Sequence, residues 1–176
     1  MSLSRRRFML TGGLVVIDSV AGLTQLRRAF ADQIIEVAMG GTTGGAHVWF
    51  RPAGLLIQPG QTIRWTNHDA GNSHTATAYH PERYGKQRRI PEHAEPWDSG
   101  FLLPGESFSV TLTVPGVYDY YCLPHEHAGM VGRIIVGKDA TEPPAPQQNQ
   151  GGQPPPDIAL RSFPPVDRIL NEKTVE

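Results

Sequence analysis

Ser107-Phe108-Ser109-Val110-Thr111-Leu112-Thr113-Val114 alternates polar and apolar residues without a break. Successive side chains of a strand point to opposite faces, so Phe108, Val110, Leu112 and Val114 share one face of a predicted half-buried strand. Working outward, other runs of strand character are separated by glycine, proline and further turn formers. They are Ile34–Ala38, His47–Phe50, Thr62–Asn67, Ser73–Ala78, Val117–Tyr121 and Arg133–Val136. Neither an internal repeat nor a sustained helical period lies between residues 33 and 137. Seven short strands within about 105 residues, enough to enclose one core, predict an all-β fold, a Greek-key β-sandwich. From Tyr79 to Trp97 the chain is polar, marked by proline and without alternation. That stretch reads as a long loop insertion with room for a helical turn.

The loop after one of these strands carries the chemistry. Tyr121-Cys122-Leu123-Pro124-His125-Glu126-His127-Ala128-Gly129-Met130 holds the only cysteine, a histidine three residues later and a methionine five beyond that. Thiolate, imidazole and thioether form the soft donor set that selects copper. One Cys, two His and a weak axial Met make the trigonal site that carries single electrons. A buried lone cysteine is often a small apolar filler, but here it ends a strand and precedes Leu-Pro-His. Pro124 fixes the backbone between the thiol and His125, and Gly129 lets the loop turn so that Met130 approaches from another side. A second imidazole must come from elsewhere. His74, in Asn72-Ser73-His74-Thr75-Ala76-Thr77-Ala78, begins a strand-like run. His68 lies in the polar turn Asn67–Asn72, and His80 sits in the insertion between Tyr79 and Pro81.

The Cys-x2-His-x4-Met spacing resembles the copper loop of the plastocyanin and pseudoazurin group of cupredoxins. The resemblance extends through Leu55-Leu56-Ile57-Gln58-Pro59-Gly60-Gln61-Thr62-Ile63-Arg64-Trp65-Thr66-Asn67, Asp98-Ser99-Gly100, Pro104-Gly105-Glu106-Ser107-Phe108, Pro115–Cys122 and Gly129–Val136. It covers roughly residues 33–137. It implies a cupredoxin-like sandwich binding one type 1 copper through His74, Cys122, His125 and Met130. It also implies an electron carrier rather than an enzyme, with redox proteins as transient donors and acceptors. In that family the electron leaves through the histidine of the copper loop, here His125, with Leu103, Pro124 and Ala128 as members of the surrounding apolar patch. His127 departs from the family's loop. His125-Glu126-His127 superficially matches the His-x-His pairs of multicopper oxidases, which need several such pairs. The expectation for His127 is a solvent-exposed, non-ligating side chain, the alternative being a titrating neighbour of the metal.

The ends of the chain differ in kind from its middle. Ser4-Arg5-Arg6-Arg7-Phe8-Met9-Leu10, a mildly apolar stretch and Ala29-Phe30-Ala31 resemble a twin-arginine export signal with its cleavage site. Gly12, Gly13, Asp18, Ser19 and Gly22 dilute the apolar run against the alternative of a retained membrane anchor. Residues 1–31 therefore read as a leader, 32–138 as the copper domain and 139–176 as a Pro/Gln/Gly-rich linker and tail. The expected location is periplasmic or otherwise extracytoplasmic. The whole chain has a formal charge of −1; from Asp32 onward 11 basic residues face 16 acidic ones, a net −5. That balance argues against nucleic acid as a partner. One cysteine excludes an internal disulfide and a two-cysteine dinuclear copper centre. An exported thiol is also a liability unless a metal occupies it. Thr141–Gln153 and Pro154-Pro155-Pro156 cannot bury enough apolar surface to offset ordering, so the reading is a disordered tail. Ile158, Ala159, Leu160, Phe163, Val166, Ile169 and Leu170 leave open a short segment that docks on a partner or on the barrel.

Arg83, Lys86, Arg88 and Arg89 form the only basic cluster after the leader. It reads as a solvated face, or as a docking patch for an acidic redox partner. Gly40-Gly41-Thr42-Thr43-Gly44-Gly45 lacks the Gly-Lys-Ser/Thr of a phosphate loop and reads as a turn. No Ser/His/Asp arrangement is apparent. Two rival functions remain at this level: copper storage or delivery, and a redox subunit held permanently to an enzyme through the tail. The expected state is a monomer.

Overall fold

The strand runs become the two sheets of a sandwich. The computed structural model describes residues 33–42, 47–139 and 151–176. The strands are β1 (Ile34–Gly41), β2 (Val48–Arg51), β3 (Gly54–Ile57), β4 (Gln61–Asn67), β5 (Thr77–Ala78), β6 (Ser107–Leu112), β7 (Gly116–Tyr121), β8 (Val131–Val136) and β9 (Thr174–Val175). One sheet has the order β2-β1-β4-β6 and the other β5-β7-β8-β3-β9. The β1–β4 and β3–β8 pairs are parallel and the rest antiparallel, so the chain crosses between sheets rather than running as simple hairpins. The leader, the centre of the glycine-rich turn (residues 43–46) and linker residues 140–150 lie outside the described residues. Among the described residues no helix is long and apolar enough to cross a membrane.

Alternation decides which side chains meet between the sheets. In β4, Gln61, Ile63, Trp65 and Asn67 point inward and are buried while Arg64 is exposed. Trp65 packs edge-on to Tyr120 at 5.3 Å and stacks on Trp97 at 5.8 Å, and Phe50 lies 4.7 Å from Tyr120. Aromatic pairs at such separations add to their area burial. The predicted strands form with shifted ends, and two differences stand out. Of Ser73–Ala78 only Thr77–Ala78 is ladder, with His74 bridged to Leu102 instead. Gly54–Ile57, which lacks alternation because β8 and β9 flank it, forms β3.

The insertion from Tyr79 to Trp97 contains turns and isolated bridges but no helix. Its basic cluster is not a solvated face. Lys86 and Arg89 are buried, Arg83 and Arg88 half-buried. Arg89 pairs with Asp119 at 2.7 Å, and Asp119 is also held by Arg133 at 2.7 Å. The fully buried Asp119 carboxylate explains the arrangement, since a charge at that depth requires paired, hydrogen-bonding counter-charges.

The tail expected to be disordered is instead folded from Gly151 onward. Helices α1 (Asp157–Ser162) and α2 (Val166–Glu172) each begin just after a proline, where a missing N–H costs nothing. β9 then adds to β3, with Gly54 opposite Val175 and Leu55 opposite Thr174. The reason lies on the outer face of the second sheet. Tyr121, Val131 and Tyr79 cluster with Ala159 and Phe163, and Val117 and Ile135 with Ile169 and Val175. Phe163 also sits beneath the guanidinium groups of Arg89 (5.2 Å) and Arg133 (4.9 Å), a cation–π arrangement. Without the tail those apolar side chains would face water. Ile169→Ala is therefore expected to lower unfolding free energy by about 2–5 kcal/mol, read from chemical denaturation. Exposed Leu160→Ala should change it by less than about 0.5 kcal/mol.

Candidate metal centre

β7 carries Cys122 to the edge of the core, and the chain then winds into a short 3-10 segment, Leu123–Ala128, with Pro124 in its first turn. His125 N–H donates to the Cys122 carbonyl, and Met130 N–H donates to the His125 carbonyl. Cys122 N–H in turn donates to the Met130 carbonyl, so the loop closes on itself before entering β8. Gly129 makes the closure possible at φ +79°, and a Cβ there would stand 2.6 Å from Ser162 Oγ of the tail. From the opposite side His74 is fixed by two backbone hydrogen bonds with Leu102.

The three donors converge. Cys122 Sγ lies 3.3 Å from His125 Nδ1 and 3.6 Å from His74 Nδ1, and the two ring nitrogens are 3.2 Å apart. All three atoms fall within 4.8 Å of one another, an arrangement that could hold a metal ion. His74 and Cys122 are fully buried and His125 is half-buried. Burial pushes the Cys122 thiol up to about 11, opposed by the N–H of Thr75, which donates to Sγ at 3.3 Å. A thiolate here needs a cation beside it. Burial, and then the neighbouring His74, hold His125 below the usual histidine range, which favours the neutral imidazole a metal requires. Met130 is buried in the same cluster as Cys122. One sulfur and two imidazoles in a dry pocket suit copper by their softness.

Of the other histidines, His68 is exposed on its turn. His80 is buried, with its Nδ1 accepting the Glu82 N–H, and is not grouped with the three donors. His127 is exposed. Two residues that the sequence reading passed over support the donors from behind. The Asp69 carboxylate meets His74 Nε2 at 3.1 Å. Hydrogen bonds from the Asn72 side chain and the Gly71 N–H, with a smaller contribution from His74, lower it to about 2. Glu126, between the two loop histidines, is buried. It accepts the Tyr79 hydroxyl at 2.8 Å and the Lys86 ammonium at 2.5 Å, which ties the copper loop to the insertion. The Asp-Ala-Gly-Asn run at 69–72 is a readable cue for a side-chain-capped turn; nothing local to Glu126 announces its distant partners.

A family model described as copper binding proteins, plastocyanin/azurin family, matches residues 35–137. The chloroplastic plastocyanin of Chlamydomonas reinhardtii is 37% identical over 118 residues, covering 67% of this chain and 76% of that one. The plastocyanin of Solanum crispum is 34% identical over 102 residues, 58% of this chain and 99% of that one. Among solved structures, a Sinorhizobium pseudoazurin superposes with a TM-score of 0.51 at 29% identity, covering 79% of this chain and 94% of its own. With its sandwich and its converging Cys and His donors, this chain belongs to the plastocyanin/azurin family of copper-binding proteins, cupredoxins that carry electrons on one type 1 copper.

Proposed function

We propose that the protein is an exported electron carrier, not an enzyme, in which His74, Cys122, His125 and Met130 hold a single copper ion and His125 is the electron's exit. The observation that carries this reading is the meeting of two Nδ1 atoms and one Sγ within 4.8 Å in a buried pocket. When bound, copper supplies the one-electron couple. The chain supplies everything else. Leu102 and the turn before His74 hold one imidazole from one side. The closed loop from Cys122 to Met130 holds the thiolate and the other imidazole from the opposite side. A site fixed this firmly rearranges little when its charge changes, which favours rapid transfer. Burial of Cys122, His74 and Met130 keeps water and substrates from the ion while leaving a path for electrons through the half-buried His125 ring.

Around that ring Pro124 and Ala128 are exposed. Leu103, next to the Leu102 that pairs with His74, is 57% exposed, as is Phe101. This apolar patch suits a transient redox protein that must approach His125 without strong charge pairing. The rival of copper storage is disfavoured because Met39 and Met130, the methionines after the leader, are both buried rather than displayed. A tail reserved for permanent attachment to an enzyme is disfavoured because its apolar residues are used within this chain. The twin-arginine-like leader supports transport out of the cytoplasm, to the periplasm or an equivalent compartment.

Copper-loaded protein is expected to show an intense visible thiolate-to-copper charge-transfer band. Cys122→Ser should abolish that band while its far-ultraviolet dichroism stays that of the parent; a persisting band would contradict the assignment. Met130→Leu should keep the colour and raise the reduction potential, because a weak donor that favours the oxidised ion is lost. Voltammetry showing a lower or unchanged potential would place Met130 outside the ligand set.

A further inference from the structure

The turn between β4 and His74 is built around one carboxylate. Asp69 is 6% exposed, and each of its oxygens is committed. Oδ1 accepts the Gly71 N–H at 2.9 Å; Oδ2 accepts the Asn72 side-chain amide at 2.9 Å and faces His74 Nε2 at 3.1 Å. The Asp69 N–H donates to Asn67 Oδ1, and the same Asn67 side chain, fully buried at the end of β4, donates to the carbonyls of Asn72 and Leu102. The end of β1 leaves room for the carboxylate, since a Cβ on Gly41 would lie 2.3 Å from Asp69 Oδ2. A residue needed only to cap a turn would use Oδ1 on the Gly71 N–H. The second oxygen is directed at the remote nitrogen of a buried imidazole whose near nitrogen faces Cys122. Glu126, the other buried carboxylate beside the loop, turns away toward Tyr79 and Lys86.

We infer that Asp69 is a positioning and tuning residue of the metal centre. Its carboxylate takes the His74 Nε2 proton, fixes Nδ1 as the lone-pair nitrogen, and lowers the reduction potential by placing negative charge behind that ligand. The inference rests on the proposed role of His74 as a ligand. A carboxylate behind a ligating imidazole fixes its tautomer and ring orientation and raises its basicity. A more basic ligand and a nearby negative charge both stabilise the more highly charged Cu(II) over Cu(I). Both effects act in the same direction, and the dry surroundings of His74 weaken neither by screening.

The test uses the full chain with copper and without it. The parent must first show the visible charge-transfer band; its absence would overturn the ligand assignment and this inference together. With the band present, Asp69→Asn, which removes the charge at nearly constant shape, should shift the preference toward Cu(I) by about tenfold or more. That corresponds to an increase of about 59 mV per tenfold in a one-electron couple. Asn72→Ala removes a hydrogen bond to Asp69 but keeps the charge, so it should lower stability while leaving the potential close to the parent's. A separate measurement covers the case in which Asp69→Asn does not fold. Nitrogen-15 NMR of the metal-free parent should find the His74 ring protonated at Nε2 and bare at Nδ1. An unchanged potential in a folded, blue Asp69→Asn variant, or a parent His74 protonated at Nδ1 alone, would overturn the inference.

Discussion

Two imidazoles and a thiol have to be kept within bonding reach of a common point where water does not penetrate. Left to themselves, such groups would separate and hydrate, and burial alone drives the Cys122 thiol toward its protonated form. The architecture can be understood as the means of holding them. Cys122 is placed by β7 and His74 by its backbone pairing to Leu102, so the donors come from opposite walls of the sandwich. Only His125 belongs to a loop short enough to be set by local sequence. The aromatic packing of Trp65, Trp97, Tyr118 and Tyr120 beneath them makes the walls rigid.

Support also comes from outside the sandwich. The copper loop is tied through Glu126 to Tyr79 and Lys86 of the insertion, and Ser162 of the tail closes against Gly129. The insertion and the tail share a further anchor, since Phe163 packs on Arg89 and Arg133, the two partners of Asp119. Segments that look like appendages in the sequence thus form a second layer over the sheet that carries the cysteine. Buried ion pairs stabilise little when desolvation is counted, but losing one partner is costly. Their effect here is to specify one arrangement of insertion, loop and tail.

How much of this was legible follows from the range of each interaction. Ser107–Leu112 reads directly because a two-residue period is local, and the copper loop reads because three of its four expected donors lie within nine residues. The tail did not, because Ile158 to Leu170 shows apolar residues without showing the uncovered face of β7 and β8 that they fit. A cue was present in those strands: Val117–Tyr121 and Val131–Val136 run nearly without alternation, as strands buried on both faces do. The basic cluster was misread for a similar reason. A lysine or arginine reads as solvated until its carboxylate partner is known. Asp119 and Glu126 lie 30 and 40 residues from Arg89 and Lys86. Asp69 was hidden more simply, in a polar turn whose composition suits a solvated loop equally well.

The account as a whole depends on which atoms surround the metal. X-ray absorption at the copper edge, on protein loaded with one copper ion per chain, measures that directly. It should find two nitrogen neighbours and one short sulfur neighbour, with the sulfur lost in Cys122→Ser and one nitrogen lost in His74→Ala. A first shell of nitrogen and oxygen alone, unchanged by either substitution, would contradict the metal centre described for this chain.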